Sequence, residues 1–156
     1  MTTATVRIVD ITNGAGDVVA RDELSNAESV HRQLRPHMPA DYQAVMRRVF
    51  AGGGRMSVAT RTDRVVGVAV FRMHDNTFHG LHMYVDDLVS DERERSSGIG
   101  RALMEHLLGL ARAAGCTAYT LDSGTHREQA HKFYFREGMV VKAFHFVKAV
   151  GDARPP

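Results

Sequence analysis

The chain has 156 residues, 44% of them hydrophobic and 24% charged, a composition typical of one globular domain with a single core. Its 20 lysines and arginines against 18 aspartates and glutamates give a formal net charge of +2, too balanced to indicate a nucleic-acid partner. No apolar run is long enough to cross a membrane, the N-terminus lacks the features of a secretion signal, and the single Cys116 cannot form an internal disulfide, so we expect a cytoplasmic protein with no membrane partner.

The first half of the chain predicts one strand, two helices and a group of three strands. Apolar and polar side chains alternate over residues 6–11, which is typical of a strand. Apolar residues recur at helical spacing over residues 18–34 and again after Pro39, where Asp41 is the expected cap of a second helix that ends at the glycine run 52–54. Strands are then expected over residues 56–60, 65–73 and 80–89.

The second half predicts helices and strands in alternation. The expected elements are a helix over residues 98–114, a strand over 117–121, a helix over 128–136 and a last strand over 139–148. Consecutive strands followed by a β-α-β-α-β close indicate a mixed α/β fold whose first half is antiparallel. No linker or internal repeat interrupts the pattern, so one domain is expected over residues 1–156.

An Arg-x-x-Gly-x-Gly pattern at Arg95, Gly98 and Gly100 lies between a predicted strand and a predicted helix. The first amides of a helix have no partners within it, and the helix dipole makes that end slightly positive. Glycines allow a phosphate to approach the backbone, and Arg95 and Arg101 bracket the turn with charged donors. The segment therefore predicts an anion-binding site.

Two familiar nucleotide motifs do not fit this turn. A dinucleotide-binding fingerprint needs a third glycine where the chain has Leu103, and a P-loop needs Lys followed by Ser or Thr where it has Arg101 and Ala102. The preceding strands also look antiparallel, which does not suit a first βαβ unit. No metal site is expected, because the nine histidines and the one cysteine lack the spacing of zinc ligands.

At this turn the sequence resembles the GNAT superfamily of N-acetyltransferases, in which these amides hold the pyrophosphate of coenzyme A. A second segment, with Ala130, Phe133, Tyr134 and Gly138, resembles that family's Ala-x-x-Phe-Tyr-x-x-x-Gly-Phe motif. The resemblance extends over about residues 64–148. It implies an α/β fold with a mixed, mostly antiparallel central sheet of about six to seven strands, flanked by helices and splayed between the fourth and fifth strands.

The resemblance also implies acetyl-CoA as the cosubstrate and a set of residues that bind it. Backbone groups of the splayed fourth strand are expected to bond the pantetheine amides and the acetyl carbonyl, while the turn bonds the pyrophosphate. The implied cofactor-binding residues are Leu88, Val89, Ser90, Arg95, Ser96, Ser97, Gly98, Ile99, Gly100, Arg101, Arg127, Ala130 and Phe133. Ser96 and Arg127 depart from the family pattern, in which many members carry Gly and Asn.

Three residues are implied as catalytic. Tyr134 takes the role of general acid, which protonates the departing thiolate of CoA. Asp86 and Asp87 lie just before the cofactor-binding backbone of the fourth strand, and in polyamine-acetylating members acidic residues at these places bind or deprotonate the amine. Because successive strand side chains face opposite ways, we expect only one of the pair, with Asp86 favoured, to face the amine. Transfer is expected to be direct, without an acetyl-enzyme.

The resemblance leaves the acceptor open. The leading hypothesis is a primary amine of a small molecule, and the alternatives are a protein lysine or N-terminus, a CoA-binding module without catalysis, and a nucleotide-binding protein. A homodimer is expected, because members of this family are often dimers. Residues 123–127 and 144–148 also resemble the aminoalkylphosphonate acetyltransferase branch, which has been associated with a divalent metal, and His145 is there expected to face the acceptor pocket.

Overall fold

The computed structural model of the chain describes residues 5–152, which contain five strands and four α-helices. In chain order the elements are β1 (Arg7–Asp10), α1 (Arg21–Leu34), α2 (Tyr42–Ala51), β2 (Arg55–Arg61), β3 (Arg64–Asn76), β4 (Gly80–Ser90), a 3₁₀ turn (Glu92–Glu94), α3 (Ile99–Ala114), β5 (Ala118–Leu121) and α4 (Glu128–Arg136). They form two compact units, one ending at Leu121 and the other beginning at Asp122. None of the described helices is long and apolar enough to cross a membrane.

A five-stranded sheet lies in the unit that ends at Leu121, with the strand order β1-β2-β3-β4-β5. Strands β1 to β4 pair antiparallel and β5 joins β4 in parallel, so the predicted mixed, mostly antiparallel α/β fold is confirmed. The predicted cap of α2 is also confirmed, because the side chain of Asp41 accepts a hydrogen bond from the amide of Ala44 at 2.9 Å.

The described residues give the sheet five strands rather than the predicted six to seven. The prediction of a last strand over residues 139–148 is wrong, since this segment forms no strand and leaves Phe144 and Phe146 exposed by 85% and 91%. An alternating sequence becomes a strand only where a neighbour accepts its hydrogen bonds and a core covers one face. Within the unit that begins at Asp122, the described residues supply neither.

Two apolar layers cover the two faces of the sheet. The layer under α1 and α2 includes the fully buried side chains of Ile11, Val30, Met46, Met56, Val58 and Val68. The layer under α3 includes those of Val66, Met83, Ile99, Leu103 and Leu107. Burial of a side chain of this size contributes about 1.5–3 kcal/mol, so the helices are held firmly against the strands.

The first turn of α3 packs very close to β3 at Gly67. A Cβ atom built on Gly67 would lie 2.5 Å from Cγ2 of Ile99 and 3.0 Å from Cδ1 of Leu103. The glycine therefore provides the space in which the start of the helix meets the sheet. This contact fixes where α3 begins relative to β3.

Strand β4 contains a bulge at Asp86. Val85 pairs with Phe71 of β3 and Asp87 pairs with Val70, so that Asp86 is an extra residue without a partner of its own. A bulge of this kind changes the phase of the side chains along the strand. The residues after Asp86 are thus one position out of step with those before it.

The bulge brings both carboxylates of the acidic pair to one face of the sheet. Val85 packs in the layer under α3 and so does Leu88, three residues later, whereas Val89 packs in the layer under α1 and α2. Asp86 and Asp87 both line one cavity on the α1–α2 side. The prediction that they face opposite sides is wrong, because regular alternation is interrupted between them.

Candidate active site

The turn before α3 presents backbone donors without protein acceptors. Gly98 stands at the helix N-cap with a φ of 81°, a left-handed conformation that suits glycine. No side chain caps α3, and no described residue accepts a hydrogen bond from the amides of Gly98, Ile99 or Gly100. A Cβ atom on Gly98 would meet nothing within 4 Å, so the space beside this residue is open. These are the features of an anion site at a helix N-terminus.

Ion pairs hold the loop that leads into this turn. The fully buried carboxylate of Asp91 accepts hydrogen bonds from the backbone N, Nε and Nη2 of Arg93 at 3.0–3.2 Å. These bonds outweigh the effect of burial and lower the pKa of Asp91 below its ordinary value. Glu94 in turn pairs with Arg61 and Arg64. Side chains thus fix the loop while the amides of the turn stay open.

The predicted side-chain ligands around the turn are exposed. Arg101 pairs with Glu105 one helical turn later, with Nε and Oε1 3.2 Å apart and both side chains 65% exposed. Arg95, Ser96 and Ser97 are exposed as well. An ion pair this exposed contributes about 0–1 kcal/mol, so a ligand anion competes easily for Arg101.

The end of β4 offers backbone groups at an open edge. Strand β5 pairs with β4 only over residues 82–85, whereas β4 continues to Ser90. All four residues of β5 take part in this pairing, so β5 ends, within the described residues, at the point where the fourth and fifth strands were predicted to splay. The amide of Asp91 donates to the carbonyl of Val66 on β3 at 2.8 Å. Alternation along the strand then directs the backbone groups of Leu88 and Ser90 away from β3, toward the edge that β5 no longer covers.

Val89 has a different orientation from these two neighbours. It pairs with Val68 of β3, and its side chain packs in the layer under α1 and α2. The same alternation directs its backbone groups toward β3. Among the three predicted backbone ligands of β4, the open edge is therefore formed by the residues on either side of Val89.

A cavity of about 290 Å³ lies on the α1–α2 side of β4. Its polar wall consists of His31, Arg35, Arg72, Tyr84, Asp86 and Asp87, and its apolar wall of Met38, Val45, Met46, Val49 and Val70. Packing of α1 and α2 on the sheet brings these distant parts of the chain together. Both acidic residues that the sequence predicts as catalytic line this cavity.

Asp87 is held by two residues from the C-terminal end of α1. Nε2 of His31 lies 2.8 Å from Oδ2 of Asp87, and Nε of Arg35 donates to Oδ1 at 2.7 Å. Burial alone would raise the pKa of Asp87, but the hydrogen bonds and charges of these two partners hold it below its ordinary value. The carboxyl group is therefore ionised at neutral pH, with both oxygens engaged.

His31 is a functional candidate that the sequence pattern did not reveal. It is 2% exposed, and its Nδ1 lies 2.9 Å from the hydroxyl of Tyr42. An ionised carboxylate only accepts, so Nε2 of His31 donates to Asp87, and burial raises the pKa of Tyr42, which keeps its hydroxyl protonated beside Nδ1. The available signal was a histidine that follows Ala27 and Val30 on the buried face of an amphipathic helix.

Asp86 has one engaged and one open oxygen. Its Oδ2 accepts from Nε of Arg72 at 2.9 Å, and its backbone carbonyl accepts from Nη2 of Arg35 at 3.2 Å. Within the described residues nothing donates to Oδ1 of Asp86, and nothing accepts from Nη2 of Arg72. The remaining bond of Arg72, from Nη1 to the carbonyl of Gly52, is long at 3.4 Å. This pair therefore keeps unused hydrogen-bonding capacity at the cavity wall.

The unit that begins at Asp122 carries the second predicted motif. Tyr134 is half-buried on α4, with its ring centroid 5.5 Å from that of Phe133, and Ala130 is half-buried on the same helix. Burial raises the pKa of Tyr134, although the charge of Arg127 at the helix N-cap opposes this effect. The phenol is therefore protonated at neutral pH, which is the state that a general acid requires.

His145 lies in the same unit and is 62% exposed. Its Nδ1 is 3.2 Å from Oδ2 of Asp122. Across residues 5–152, no group of three or more His, Cys, Asp or Glu side chains is arranged to hold a metal ion. The predicted place of His145 at the acceptor pocket stays a prediction.

Comparison with known proteins decides which family this arrangement belongs to. The sequence model of the acetyltransferase (GNAT) family matches residues 21–139, more than half of the chain. The chain belongs to the GNAT family. Acetyl-CoA is the cosubstrate of that family, so the family, the fold and the cosubstrate predicted from the sequence are confirmed.

Two curated N-acetyltransferases match part of this GNAT chain. An uncharacterized N-acetyltransferase of Bacillus subtilis, YhdJ, is 36% identical over 72 residues, which are 46% of this chain and 51% of YhdJ. The aminoalkylphosphonate N-acetyltransferase of Salmonella typhimurium is 32% identical over 94 residues, which are 60% of this chain and 61% of that enzyme. The chain thus spans between 51% and 61% of the length of these relatives.

Solved structures of other acetyltransferases share the fold. The aminoglycoside N-acetyltransferase AAC(6')-Iy in complex with CoA aligns with a TM-score of 0.80 at 14% identity, covering 95% of this chain and 96% of that one. An acetyltransferase of Trypanosoma brucei aligns with a TM-score of 0.72 at 20% identity, covering 94% and 100%. Identities this low establish the common fold and leave the substrate of this GNAT protein to be argued from its own residues.

The predicted site residues of this GNAT chain fall in two groups. The acidic pair, the backbone of β4 and the turn before α3 all belong to the unit that ends at Leu121. Arg127, Ala130, Phe133 and Tyr134 belong to the unit that begins at Asp122. The first group contains an open anion site and a charged cavity, and the second contains a protonated phenol.

Proposed function

We propose that this chain is an N-acetyltransferase that moves the acetyl group of acetyl-CoA to a primary amine of a small molecule. The observation that carries the proposal is the turn before α3, where the amides of Gly98, Ile99 and Gly100 have no acceptor among the described residues. Donors grouped in this way at a helix N-terminus suit a pyrophosphate. Membership of the GNAT family makes coenzyme A the ligand that fits them.

Three segments are assigned to cofactor binding in this proposal. They are the end of β4, where Leu88 and Ser90 present backbone groups on either side of Val89, the turn with Arg95, Ser96, Ser97, Gly98, Ile99, Gly100 and Arg101, and the α4 region with Arg127, Ala130 and Phe133. Acetyl-CoA supplies an acetyl group that is activated as a thioester. An amide donor at the open edge of β4 is suited to polarise the thioester carbonyl.

Asp86 is proposed to receive the amine. It lines the cavity, and its Oδ1 has no donor among the described residues. Asp87 has both oxygens engaged by His31 and Arg35, and its lowered pKa makes it a weak base. We therefore assign Asp86 to bind the ammonium group and accept its proton, directly or through water, and Asp87 to hold the site in place.

Transfer from an ammonium group removes two protons from nitrogen and delivers one to sulfur. The deprotonated amine nitrogen bonds to the acetyl carbon, the bond between carbon and sulfur breaks, and the electron pair of that bond goes to sulfur. Tyr134, whose raised pKa keeps it protonated, is assigned to donate a proton to the sulfur. The attacking nitrogen then loses its second proton and becomes a neutral amide, and this proton replaces, directly or through water, the one that Tyr134 gave to sulfur, so no covalent enzyme intermediate forms.

The size of the cavity favours a small acceptor. Its volume of about 290 Å³ is at the low end of the range of about 300–1,000 Å³ that accommodates drug-sized ligands. Named acceptors of similar proteins, an aminoalkylphosphonate in one relative and an aminoglycoside in one structural neighbour, are also small molecules. The alternatives are a protein lysine or N-terminus as the acceptor and a CoA-binding module without catalysis.

Release of free CoA thiol against a panel of amines tests the proposal. We expect turnover with at least one small amine, and we expect Tyr134→Phe to lower kcat about a hundredfold at neutral pH while the Kd for acetyl-CoA stays the same by calorimetry. Binding of acetyl-CoA without thiol release for any amine would support the non-catalytic alternative. Turnover of Tyr134→Phe at the wild-type rate would remove Tyr134 from the mechanism.

We further propose that residues 1–156 act as a single catalytic domain, with the acetyl-CoA core at about residues 64–148, in a cytoplasmic homodimer. The dimer is expected because members of this family are often dimers. Light scattering of the purified chain at micromolar concentration measures the mass of the assembly. A monomer mass under these conditions would contradict the dimer without affecting the proposed chemistry.

A further inference from the structure

The charged side chains that line the cavity balance one another. Asp86 pairs with Arg72 at 2.9 Å between Oδ2 and Nε, and Asp87 pairs with Arg35 at 2.6 Å between Oδ1 and Nη2. Two carboxylates and two guanidinium groups therefore line the same small space, and their formal charges sum to zero. A ligand that adds only positive charge would meet two cations as well as two anions.

The two ion pairs differ in how readily a ligand can bind to their charged groups. The carboxylate of Asp87 is 13% exposed and both of its oxygens are engaged, whereas the side chains of Arg72 and Asp86 are 34% and 28% exposed. Among the described residues Oδ1 of Asp86 lacks a donor and Nη2 of Arg72 lacks an acceptor. The Asp86–Arg72 pair is therefore able to take up one cationic and one anionic group.

An amine without an anionic group should bind weakly at the Asp86–Arg72 pair. An ammonium group that bonds to Asp86 competes with Arg72 for the same carboxylate and brings two positive charges close together. An acceptor that also carries an anionic group offers Arg72 a replacement partner. Guanidinium groups bind planar carboxylates and phosphate-like groups through two parallel hydrogen bonds, so the exchange conserves both charge and hydrogen bonds.

We infer that the acceptor is a small zwitterionic amine, whose ammonium group binds Asp86 and whose carboxylate or phosphonate group binds Arg72. The inference rests on the proposed acetyltransferase function and makes Arg72 the residue that determines specificity. The cavity of about 290 Å³ and its apolar wall of methionine and valine side chains suit a short carbon linker between the two charged groups. A polycationic acceptor lacks the anion that Arg72 requires.

A panel of amines that carry anionic, neutral or further cationic groups tests this inference. Aminoethylphosphonate and β-alanine carry an anionic group, ethanolamine carries a neutral one, and diaminopropane and kanamycin carry further ammonium groups. We expect kcat/KM for the two anionic amines to exceed that for ethanolamine and diaminopropane by roughly tenfold to a hundredfold, as a charge-assisted hydrogen bond provides. The ratio between aminoethylphosphonate and β-alanine identifies the preferred anionic group.

Substitutions of Arg72 test the residue itself. Arg72→Gln is expected to lower kcat/KM for the anionic amines by roughly tenfold or more and to leave ethanolamine within about threefold. Arg72→Lys retains part of the preference because it keeps the charge, and Arg72→Glu shifts the preference toward diaminopropane. The matched control is Arg47→Gln, an exposed arginine of α2 outside the cavity wall, which should leave all five amines unchanged.

The outcomes separate this inference from the function on which it rests. Preference of the wild type for ethanolamine, diaminopropane or kanamycin, or an equal loss on every amine in Arg72→Gln, overturns the inference and leaves the acetyltransferase intact. Failure to acetylate any amine while acetyl-CoA still binds overturns both. If Arg72→Gln does not fold, Arg72→Lys decides: a loss confined to anionic amines supports the inference, and a uniform loss overturns it.

Discussion

The turn before α3 and the cavity beside Asp86 are prepared for their ligands in opposite ways. At the turn, the amides of Gly98, Ile99 and Gly100 have no acceptor among the described residues, so a ligand adds partners without displacing any. In the cavity both carboxylates already have cationic partners, so a ligand must exchange one partner for another. The turn depends on backbone conformation and the cavity on charge balance. Changes at one region should therefore leave the other largely unaffected.

Residues near the C-terminal end of helix α1 bind the carboxylates that hold each region in place. His31 and Arg35 bind the carboxylate of Asp87 at the cavity. Gln33, which lies between them in the sequence, donates from Nε2 to Oδ1 of Asp91 at 3.4 Å. Asp91 in turn anchors the loop before the turn. The groups that bind ligands in the two regions are thus independent of each other, whereas helix α1 links the residues that support them.

The largest expected effect comes from the removal of Asp87. Asp87→Ala leaves His31 and Arg35 without their carboxylate, and breaking a largely buried pair on one side should lower the free energy of unfolding by about 3 kcal/mol. Urea denaturation measures this loss. The exposed Asp75→Ala is the control and should change stability by less than about 0.5 kcal/mol. Equal effects of the two substitutions would mean that the charge pairing of the cavity is not structural.

Gly98→Ala should damage the turn while sparing the cavity. A residue with a Cβ atom at a φ of 81° costs about 1–2 kcal/mol, so the turn should leave this conformation and its amides should no longer point in a common direction. We expect the Kd for acetyl-CoA to rise about tenfold or more by calorimetry. Gly109→Ala, in the interior of α3 with no neighbour within 4 Å, is the matched control and should stabilise the helix by about 0.5–1 kcal/mol without changing this Kd.

Gly67→Ala should change the turn indirectly, by displacing the start of α3. The added methyl group would lie 2.5 Å from Cγ2 of Ile99, so the start of α3 must move away from β3. Overpacking of this kind costs about 1 kcal/mol or more, and the shift should weaken acetyl-CoA binding a few-fold because the first amides of α3 move with it. Thermal unfolding and calorimetry measure the two effects. A loss of stability with an unchanged Kd would show that the turn holds its geometry independently of this contact.

Acid should act on the cavity through Asp87. Its pKa is lower in the folded chain than its ordinary value of about 3.9, so between those two values the unfolded state binds more protons and stability rises with pH. The stabilisation is present above about pH 3.9 and is lost as pH falls through the folded value. Asp87→Asn should therefore be less stable than the wild type at neutral pH, and the gap should close in acid. A gap that stays constant with pH would assign the effect to packing instead of charge.

The features predicted correctly from the sequence are those that neighbouring residues determine. The bounds of α3 follow from its apolar spacing and from Gly98 and Gly115 at its ends, both with left-handed φ values. The turn before it is read from six consecutive residues, because backbone donors at a helix start depend on local conformation. Asp41 capping α2 is equally local.

The features that the sequence did not reveal depend on pairing between distant segments. His31 and Arg35 meet Asp87 across 56 and 52 residues of chain, which no local periodicity encodes. The bulge at Asp86 arises from the register between β3 and β4, so alternation alone gave the wrong faces for the acidic pair. The strand predicted over residues 139–148 failed for the same reason, since a strand needs a neighbour as well as a pattern.

The extra residue in β4 also sets which kinds of sequence change the protein can tolerate. Deletion of Asp86 would restore strict alternation and leave every later residue on its present face, because Asp87 would still lie opposite Val70. Leu88 would stay in the apolar layer beneath α3, and the cavity wall would lose one of its two carboxylates. A single-codon deletion at the bulge would therefore remove the group that is proposed to receive the amine, while the rest of β4 kept its pairing with β3.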